Sequence, residues 1–388
     1  MKVLTYTTLF PNAEFPRHGI FVEQRLRQLL ASGKVENRVV APLPWFPFRA
    51  SVFGEYAKYA RVNRNESRHG LSISHPRYPL IPKIGMNIAP RLLAWGSYPT
   101  VQAIYQRGFD FDVIDAHYFY PDGVAAAMIA EKLGKPLVIT ARGTDINLIP
   151  QYRIPRQQIL WAARQASAMI TVCQALKDEL VSLGADGDKI TVLRNGVDLK
   201  LFTPAARDEV RQRLQLTRPT LISVGHLIKR KGHDKVIKAM VDLPDMQLLI
   251  IGDGEEDSVL RHLCADLQLG DRVRFLGHVD QQYLSDYYSA ADALVLASSR
   301  EGWPNVLLES MACGTPVVAT PVWGSPEVVR KPEAGRVSSE NSVAALVAAI
   351  KDLFSHYPDR KLTRRYAEMH SWENTTKGQL DIFNRLIA

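Results

Sequence analysis

The chain has 388 residues, of which 46% are hydrophobic and 23% are charged, and this length corresponds to about two domains. The apolar fraction and the lack of a low-complexity tract exclude an intrinsically disordered chain. The formal charge of +8 is uneven, because residues 1–109 hold 15 Lys or Arg against 5 Asp or Glu, and residues 201–388 hold 23 against 24. Such asymmetry indicates a negatively charged partner (nucleic acid, an anionic membrane or a phosphorylated substrate), unless the basic surface serves solubility alone.

The three cysteines, Cys173, Cys264 and Cys313, are isolated in the sequence and match neither a disulfide framework nor a metal cluster, so we expect a reducing compartment. The apolar run at residues 3–10 is too short and too polar for a signal peptide. No stretch approaches the ~20 apolar residues that cross a bilayer. We therefore expect a cytoplasmic protein that can touch the inner face of the cell membrane.

Short runs rich in Val, Ile and Leu alternate with amphipathic stretches through the first half of the chain. Apolar runs of this kind are typical of parallel strands covered on both faces, and their alternation with helices predicts a doubly wound α/β domain. The predicted strands are residues 2–7, 38–43, 111–117, 137–142, 168–173 and 190–195, with helices at residues 21–31 and 120–133 among others. Residues 44–90 interrupt this pattern with prolines, arginines and aromatic residues.

The same alternation restarts in the second half, after a proline-containing segment at residues 198–219. The predicted strands there are residues 221–225, 247–252, 273–277, 293–297 and 316–320, followed by a helical tail from residue 342. We predict a Rossmann-like domain at residues 1–200, a second one at residues 201–365, and a C-terminal helix at residues 366–388 that packs on the first domain. Two such sheets facing across a cleft would bind ligands at the carboxyl ends of their strands.

A basic turn follows the first strand of the second domain. Three consecutive cations, Lys229, Arg230 and Lys231, precede a helix whose free N–H groups also attract anions. With His226 they predict a phosphate or diphosphate site, and a solvated basic turn is the alternative. The next strand ends in a two-glycine turn (residues 252–255) that lacks the third glycine of the dinucleotide fingerprint, which excludes a dehydrogenase.

Two glutamates, Glu301 and Glu309, flank the start of a helix predicted near Asn305. Ionised carboxylates accept strong hydrogen bonds, so this pair can hold hydroxyl groups at two points along a sugar nucleotide. The glycine and proline turn between them exposes backbone N–H groups to an anion. Ordinary helix-start glutamates favoured by the helix dipole are the alternative.

The segment at residues 299–316 resembles the Glu-x7-Glu signature of glycosyltransferase family 4, the retaining enzymes of the GT-B fold. The resemblance covers nearly the whole chain. It also includes residues 18–22, 194–198, 231–232, 275–279 and 314–318. It implies an α/β fold with two Rossmann-like, doubly wound parallel-sheet domains facing across a cleft and a C-terminal helical tail.

The resemblance also implies roles for single residues. Glu301 matches the glutamate near the transferred sugar, and Glu309 matches the one that holds the ribose hydroxyls. Lys231 matches the lysine that neutralises the diphosphate, and His117 matches a histidine near the reacting sugar. The other donor-binding positions are Gly19, Arg194, His226, Arg230, Gly277, His278, Val279, Gly302, Trp303, Pro304, Asn305 and Val306, and the acceptor side adds Tyr118 and Asp145.

Two positions depart from the family's pattern. Position 226 usually holds an arginine that forms a paired clamp with the lysine, and here it is His226. Arg230, or His226 in its protonated form beside a dianionic ligand, would take that part. Trp303 and Pro304 stand where the family more often has Phe-Gly. For Asp145 two roles stay open: a hydrogen bond to the acceptor, or support of a helix N-terminus.

The implied reaction is retaining transfer of a sugar from a UDP or GDP sugar to a glycan or lipid-linked acceptor in cell-surface polysaccharide synthesis. No cofactor is expected. Nor is a metal expected, because an Asp-x-Asp sequence at residues 110–112 opens a strand at its amino end, away from the cleft. The alternatives are a sugar-nucleotide epimerase of the same architecture, a glycoside hydrolase with two carboxylates, and a non-enzymatic nucleotide- or anion-binding module.

The basic excess falls on the first domain, which would bind the acceptor. No nucleic-acid motif accompanies it, so we expect no nucleic-acid partner. Basic residues mixed with aromatic and leucine side chains suit contact with anionic lipid instead. This basic set consists of Arg49, Lys58, Arg61, Arg64, Arg68, Arg77, Lys83 and Arg91.

Overall fold

The computed structural model describes residues 1–80 and 85–388. The chain divides into two units: Met1–Arg194 together with Asn374–Ala388, and Asn195–Glu373. The chain therefore leaves the first unit after Arg194 and returns to it in its last helix. The divisions predicted from the sequence lie at residues 200 and 365. Lys83, one of the basic set, lies outside the described residues.

The first unit is built on a parallel sheet whose strands alternate with helices. The strands are β1 Lys2–Tyr6, β2 Glu36–Val40, β3 Leu43–Pro44, β4 Asn65–Arg68, β5 Leu71–Ser74, β6 Arg77–Tyr78, β7 Val113–His117, β8 Leu137–Ala141, β9 Ala168–Thr171 and β10 Ile190–Val192. The helices are α1 Ile20–Ala31, α2 Gly54–Arg61, α3 Ala89–Gln106, α4 Val124–Leu133, α5 Thr144–Asn147, α6 Arg153–Gln165 and α7 Gln174–Ser182. The strands pair in the order β10-β9-β8-β7-β1-β2-β5-β4, and β3 pairs separately with β6.

The second unit repeats this architecture. Its strands are β11 Thr220–Val224, β12 Gln247–Ile251, β13 Val273–Gly277, β14 Ala293–Leu296, β15 Val317–Ala319 and β16 Gly335–Val337. Its helices are α8 Arg207–Arg213, α9 His233–Ala239, α10 Asp257–Asp266, α11 Leu284–Ala290, α12 Asn305–Ala312, α13 Ser325–Val328, α14 Val343–Ser355 and α15 Arg360–Glu368. The strands pair in parallel in the order β13-β12-β11-β14-β15-β16.

In each sheet the strand order reverses at one point, between β1 and β7 in the first unit and between β11 and β14 in the second. At such a switch point the loops leave two neighbouring strands in opposite directions, which opens a crevice for ligands at the carboxyl ends. The two doubly wound sheets confirm the predicted fold class.

The last helix, α16 Trp372–Ile387, completes the core of the first unit. Leu380, Ile382 and Phe383 are buried in one apolar cluster with residues of α1 and of the central strands. Apolar residues at this helical spacing bury one face of the helix, so α16 forms part of the layer that covers the sheet.

Four strands were not predicted, β4, β5, β6 and β16, and of β3 only Leu43 falls within a predicted strand. The antiparallel pair β4–β5 forms a polar edge of the first sheet, with the sequences NESR and LSIS, and such edges lack a continuous apolar run. Strand β16 spans three residues, and one of them is glycine. Across the described ranges, no helix is both long and apolar enough to cross a lipid bilayer.

Candidate active site

The loops after β11 and β14 bring Lys231 and Glu301 together. These strands are neighbours at the switch point of the second sheet, with Leu221 beside Ala293. Lys231 ends a short helical turn that precedes α9, and Glu301 lies between β14 and α12. Lys231 Nζ donates a hydrogen bond of 2.7 Å to Glu301 Oε1. Two residues that are 70 positions apart in the sequence therefore form one ion pair.

A second cation and a hydroxyl complete the surroundings of Glu301. Arg230 Nη1 lies 3.6 Å from Glu301 Oε2, and Ser298 Oγ donates to Oε1 at 2.6 Å. Burial alone would raise the pKa of Glu301, but the charges of Lys231 and Arg230 and the hydrogen bonds from Lys231 and Ser298 outweigh it and lower the pKa. Glu301 is therefore a buried carboxylate that stays ionised at neutral pH.

Gly232 allows the two loops to approach this closely. It adopts φ +69°, and a Cβ atom on it would lie 2.1 Å from the carbonyl oxygen of Ala297. Only glycine fits both the left-handed conformation and the contact. The glycine that follows Lys231 in the family's pattern is therefore required sterically in this fold.

Glu309 differs from Glu301 in its electrostatic state. It lies in the second turn of α12 and accepts a hydrogen bond of 3.1 Å from the hydroxyl of Tyr288. Burial raises its pKa to about 7, although hydrogen bonds from Tyr288 and Gln281 and the charge of Lys231 act in the opposite direction. The two predicted glutamates therefore have pKa values pushed apart, a pattern found where carboxyl groups serve different functions.

The remaining donor-side residues are distributed along the same edge of the sheet. His226 follows β11 and is exposed, with Nδ1 3.8 Å from Asp253 Oδ1 in the turn after β12. Gly277 ends β13, and His278 Nε2 lies 3.0 Å from Asp280 Oδ1. Trp303 and Pro304 are buried, whereas Val279, Gly302, Asn305 and Val306 are half-buried.

His117 lies in a buried polar cluster of the first unit. It ends β7 and is 1% exposed. Its Nδ1 is 2.7 Å from the Arg142 guanidinium, and its Nε2 is 3.3 Å from Asp115 Oδ2. Because arginine can only donate, Nδ1 accepts and the proton of the neutral ring lies on Nε2. Burial lowers the pKa of His117 to about 4; Asp115 raises it and Arg142 lowers it further.

Asp145 supports the turns around this cluster. Its carboxylate accepts hydrogen bonds of 2.7 Å from the backbone N–H groups of Phe119 and Gly143, and it is fully buried. Of the two roles left open by the sequence, these contacts correspond to backbone support. Tyr118 precedes Phe119 with φ 82°.

The two other first-unit positions of the donor-binding set lie elsewhere in that unit. Gly19 precedes α1, and the carbonyl of Arg194 accepts a hydrogen bond from the Thr375 hydroxyl.

Sequence reasoning missed several residues of these sites. Asp122, in the turn after β7, accepts hydrogen bonds from Thr8 N at 2.8 Å and from Thr7 Oγ1 at 3.2 Å, and burial raises its pKa to about 7. The rule that polar side chains after strands belong to the ligand edge would have found Asp122 and Ser298. No sequence pattern singles out Tyr288, which lies within α11. Within residues 1–80 and 85–388, no group of three or more His, Cys, Asp or Glu is placed to hold a metal ion.

Two family profiles together match most of the chain. The profile for glycosyl transferases group 1 matches residues 206–370, and that for glycosyltransferase family 4 matches residues 22–201. A Bacillus subtilis protein named as the teichuronic acid biosynthesis glycosyltransferase TuaC is 30% identical over 84% of this chain and 82% of its own. The D-inositol 3-phosphate glycosyltransferase of Mycolicibacterium gilvum is 30% identical over 74% and 69%. The chain therefore belongs to glycosyltransferase family 4, as the sequence motifs predicted, and is a glycosyltransferase.

Solved structures share its fold. Sucrose-phosphate synthase from Thermosynechococcus elongatus aligns with a TM-score of 0.80 and 21% identity, covering 99% of this chain and 98% of that one. The Anabaena protein HepE in complex with UDP aligns with a TM-score of 0.75 and 18% identity, covering 99% and 100%. These alignments establish the GT-B fold.

The raised pKa of Glu309 predicts a stability difference that depends on pH. Between the unfolded value near 4.5 and the folded value of about 7, the folded protein holds a proton that the unfolded chain has released. The free energy of unfolding therefore falls as pH rises through this window. The glutamine of Glu309→Gln is uncharged at every pH. The free energy of unfolding of this variant should therefore exceed that of the wild type by a margin that grows to on the order of 3 kcal/mol at pH 7–8. Melting temperatures of both proteins from pH 5 to 8 measure this, and a pH-independent difference would contradict it.

Proposed function

We propose that the protein is a retaining glycosyltransferase that moves a sugar from a nucleoside diphosphate sugar to a glycan or lipid-linked acceptor in cell-surface polysaccharide synthesis. The observation that carries the proposal is the buried contact between Lys231 and Glu301 at the switch point of the second sheet. A glycosidase has no need of a lysine paired with its carboxylate beside a cationic turn, whereas departure of a diphosphate requires such positive charge.

In this mechanism Lys231 exchanges partners when the donor binds. In the free protein its charge is balanced by Glu301. A diphosphate in the basic turn would attract Lys231 Nζ, and Arg230 would remain 3.6 Å from Glu301 as its counter-charge. Glu301 then has an oxygen available to accept a hydrogen bond from a hydroxyl of the transferred sugar. Positive charge from Lys231 and backbone N–H groups near Gly302 stabilise the leaving group without a metal ion.

Glu309 would hold the ribose. Hydroxyl groups that donate to a carboxylate favour its charged form, so nucleoside binding lowers the pKa of Glu309 from about 7. His226 is exposed beside Asp253 and takes a lesser part in the clamp than Arg230. The acceptor hydroxyl attacks from the face that the phosphate leaves, and a phosphate oxygen takes its proton.

The similar proteins favour UDP as the nucleotide and a glycan or phosphorylated acceptor. HepE of Anabaena has been solved with UDP and with UDP-glucose. The name of TuaC refers to teichuronic acid biosynthesis, and that of the Mycolicibacterium gilvum protein refers to D-inositol 3-phosphate. GDP is the alternative nucleotide.

The first unit would bind an anionic membrane surface from the cytoplasmic side. Trp45, Phe48 and Val52 are 58%, 54% and 83% exposed, and Phe46, Phe48 and Phe53 form an aromatic cluster beside helix α2. Helix α2 carries Lys58 and Arg61 in its last turn. Exposed aromatic rings next to lysine and arginine suit the interface of an anionic bilayer.

A thermal-shift panel tests the donor. We expect UDP and a UDP sugar to raise the melting temperature, in proportion to RT ln(1 + [L]/Kd), and to do so equally in EDTA. Stabilisation by GDP alone would assign the other nucleotide, and no response to any nucleoside diphosphate or its sugar would reject the proposed donor class. Incubation with the donor sugar alone, analysed for a new sugar nucleotide, distinguishes transfer from epimerisation.

Lys231→Ala should lower kcat by about 100-fold or more at saturating donor, because the leaving group loses its nearest charge. Lys238→Ala is the matched control, since Lys238 is exposed on α9 and pairs only with Asp234 in its described contacts, at 3.1 Å. Because the substitution also leaves Glu301 short of one partner, the melting temperature of each variant is measured alongside kcat. Near wild-type turnover in a folded Lys231→Ala protein would overturn the role of this lysine.

Co-sedimentation with vesicles tests the membrane contact. Vesicles containing phosphatidylglycerol should bind the protein at low salt and release it as salt rises, whereas neutral phosphatidylcholine vesicles should not bind it. Replacing both Trp45 and Phe48 by alanine should weaken binding about 10-fold, since each ring buries apolar area in the interface. Absence of binding to anionic vesicles at low salt would reject the contact.

A further inference from the structure

We propose that Gln379 of helix α16 is a positioning residue for sugar transfer, which fixes Asp115 and through it the partner of the Nε2 proton of His117. The effect of Gln379 on Asp115 and His117 is independent of the reaction, whereas its effect on the rate of sugar transfer rests on the proposed function.

Gln379 connects two charged groups inside the first unit. Its Nε2 donates to Asp115 Oδ2 at 2.8 Å, and its Oε1 accepts from Arg25 Nε at 2.9 Å. Gln379 and Asp115 are 1% exposed and Arg25 is 2% exposed. A carboxylate can only accept and a guanidinium can only donate, so the two partners determine which way the amide faces.

The same oxygen of Asp115 faces the histidine. Asp115 Oδ2 lies 3.3 Å from His117 Nε2, on the ring nitrogen that carries the proton. Asp115 and His117 are two residues apart on β7, so both side chains lie on one face of the sheet. That face is the one covered by α16, since Val113 of β7 shares an apolar cluster with Leu380 and Phe383. The contacts thus run from α16 through Asp115 to His117 within one unit.

The charged composition of this buried cluster does not favour the stability of the fold. Buried charges cost desolvation energy that apolar residues of equal volume would avoid, and Asp115 Oδ1 has no hydrogen-bond partner among the described residues. What the arrangement does achieve is a single neutral tautomer of His117 with Nδ1 as its acceptor. Arg142 donates to that nitrogen here, and a sugar hydroxyl that takes the place of Arg142 would be held as a hydrogen-bond donor.

A direct test reads the tautomer of His117 by NMR on protein labelled with ¹⁵N-histidine, with the His117 signals assigned by their loss in His117→Gln. The wild type should show a protonated Nε2 and an unprotonated Nδ1. Gln379→Met keeps the volume but removes both hydrogen bonds of the amide. Arg142 still donates to Nδ1, so the tautomer should persist, but the Nε2 signals should shift strongly because Asp115 is no longer held beside that nitrogen. Unchanged Nε2 signals in folded Gln379→Met would overturn the proposal.

Leu380→Ala is the matched control. Leu380 is the next residue on α16 and is buried in the apolar cluster, so its truncation destabilises the same helix without removing a hydrogen bond to Asp115. It should lower the melting temperature and leave the His117 signals as in the wild type. If Gln379→Met does not fold, Gln379→Leu serves instead, because leucine also lacks the donor to Asp115. Unchanged Nε2 signals there would equally overturn the proposal.

Kinetics test the second part. With a donor identified by the thermal-shift panel, Gln379→Met should lower kcat by about 10-fold, because His117 is less well oriented once Asp115 is released, with KM for the donor unchanged. Leu380→Ala should keep kcat at a comparable loss of melting temperature. Equal kcat losses in the two variants would overturn the positioning role. A wild type that transfers no sugar would instead reject the proposed function. The NMR comparison would then still test whether Gln379 positions Asp115 beside His117.

Discussion

The ion pair between Lys231 and Glu301 is the constraint around which the second unit is organised. It requires β11 and β14 to be neighbours, a glycine where the loop after β11 meets the backbone of Ala297, and a helix start that places Glu301 beside the cationic turn. Each partner holds the other in a buried setting that neither charge would occupy alone. The pair therefore keeps a cation and an anion together in the loops after β11 and β14.

The loops at the switch point of the first sheet are held together by a different kind of contact. At its switch point the loops after β1 and β7 are joined by Asp122, which accepts hydrogen bonds from Thr7 and Thr8. No lysine balances this carboxyl in its described contacts, and burial raises its pKa to about 7. The loops at the switch point of one sheet thus carry an ion pair, and those of the other carry a carboxyl group that is partly protonated at neutral pH.

How far the sequence could predict these sites depends on how local their contacts are. Most strands follow from local apolar runs, and the positions of Lys231, Glu301 and His117 follow from short motifs that resemble those of the family. The partners of these residues do not, because Tyr288 reaches Glu309 from a helix of unremarkable sequence, and Gln379 contacts Asp115 across 264 positions. The edge pair β4–β5 was missed because β4 has no apolar residue and β5 has only two, Leu71 and Ile73.

The return of α16 to the first unit also affects how the protein is made. Leu380 and Phe383 belong to the core built by residues near the start of the chain, so a nascent chain that has emerged only as far as Arg194 lacks one helix of the layer that covers its sheet. The second unit, by contrast, is a continuous segment and can close its core as soon as it leaves the ribosome. The unit translated first is thus the one completed last, and the exposed face of its sheet is the surface that a chaperone would have to protect during synthesis.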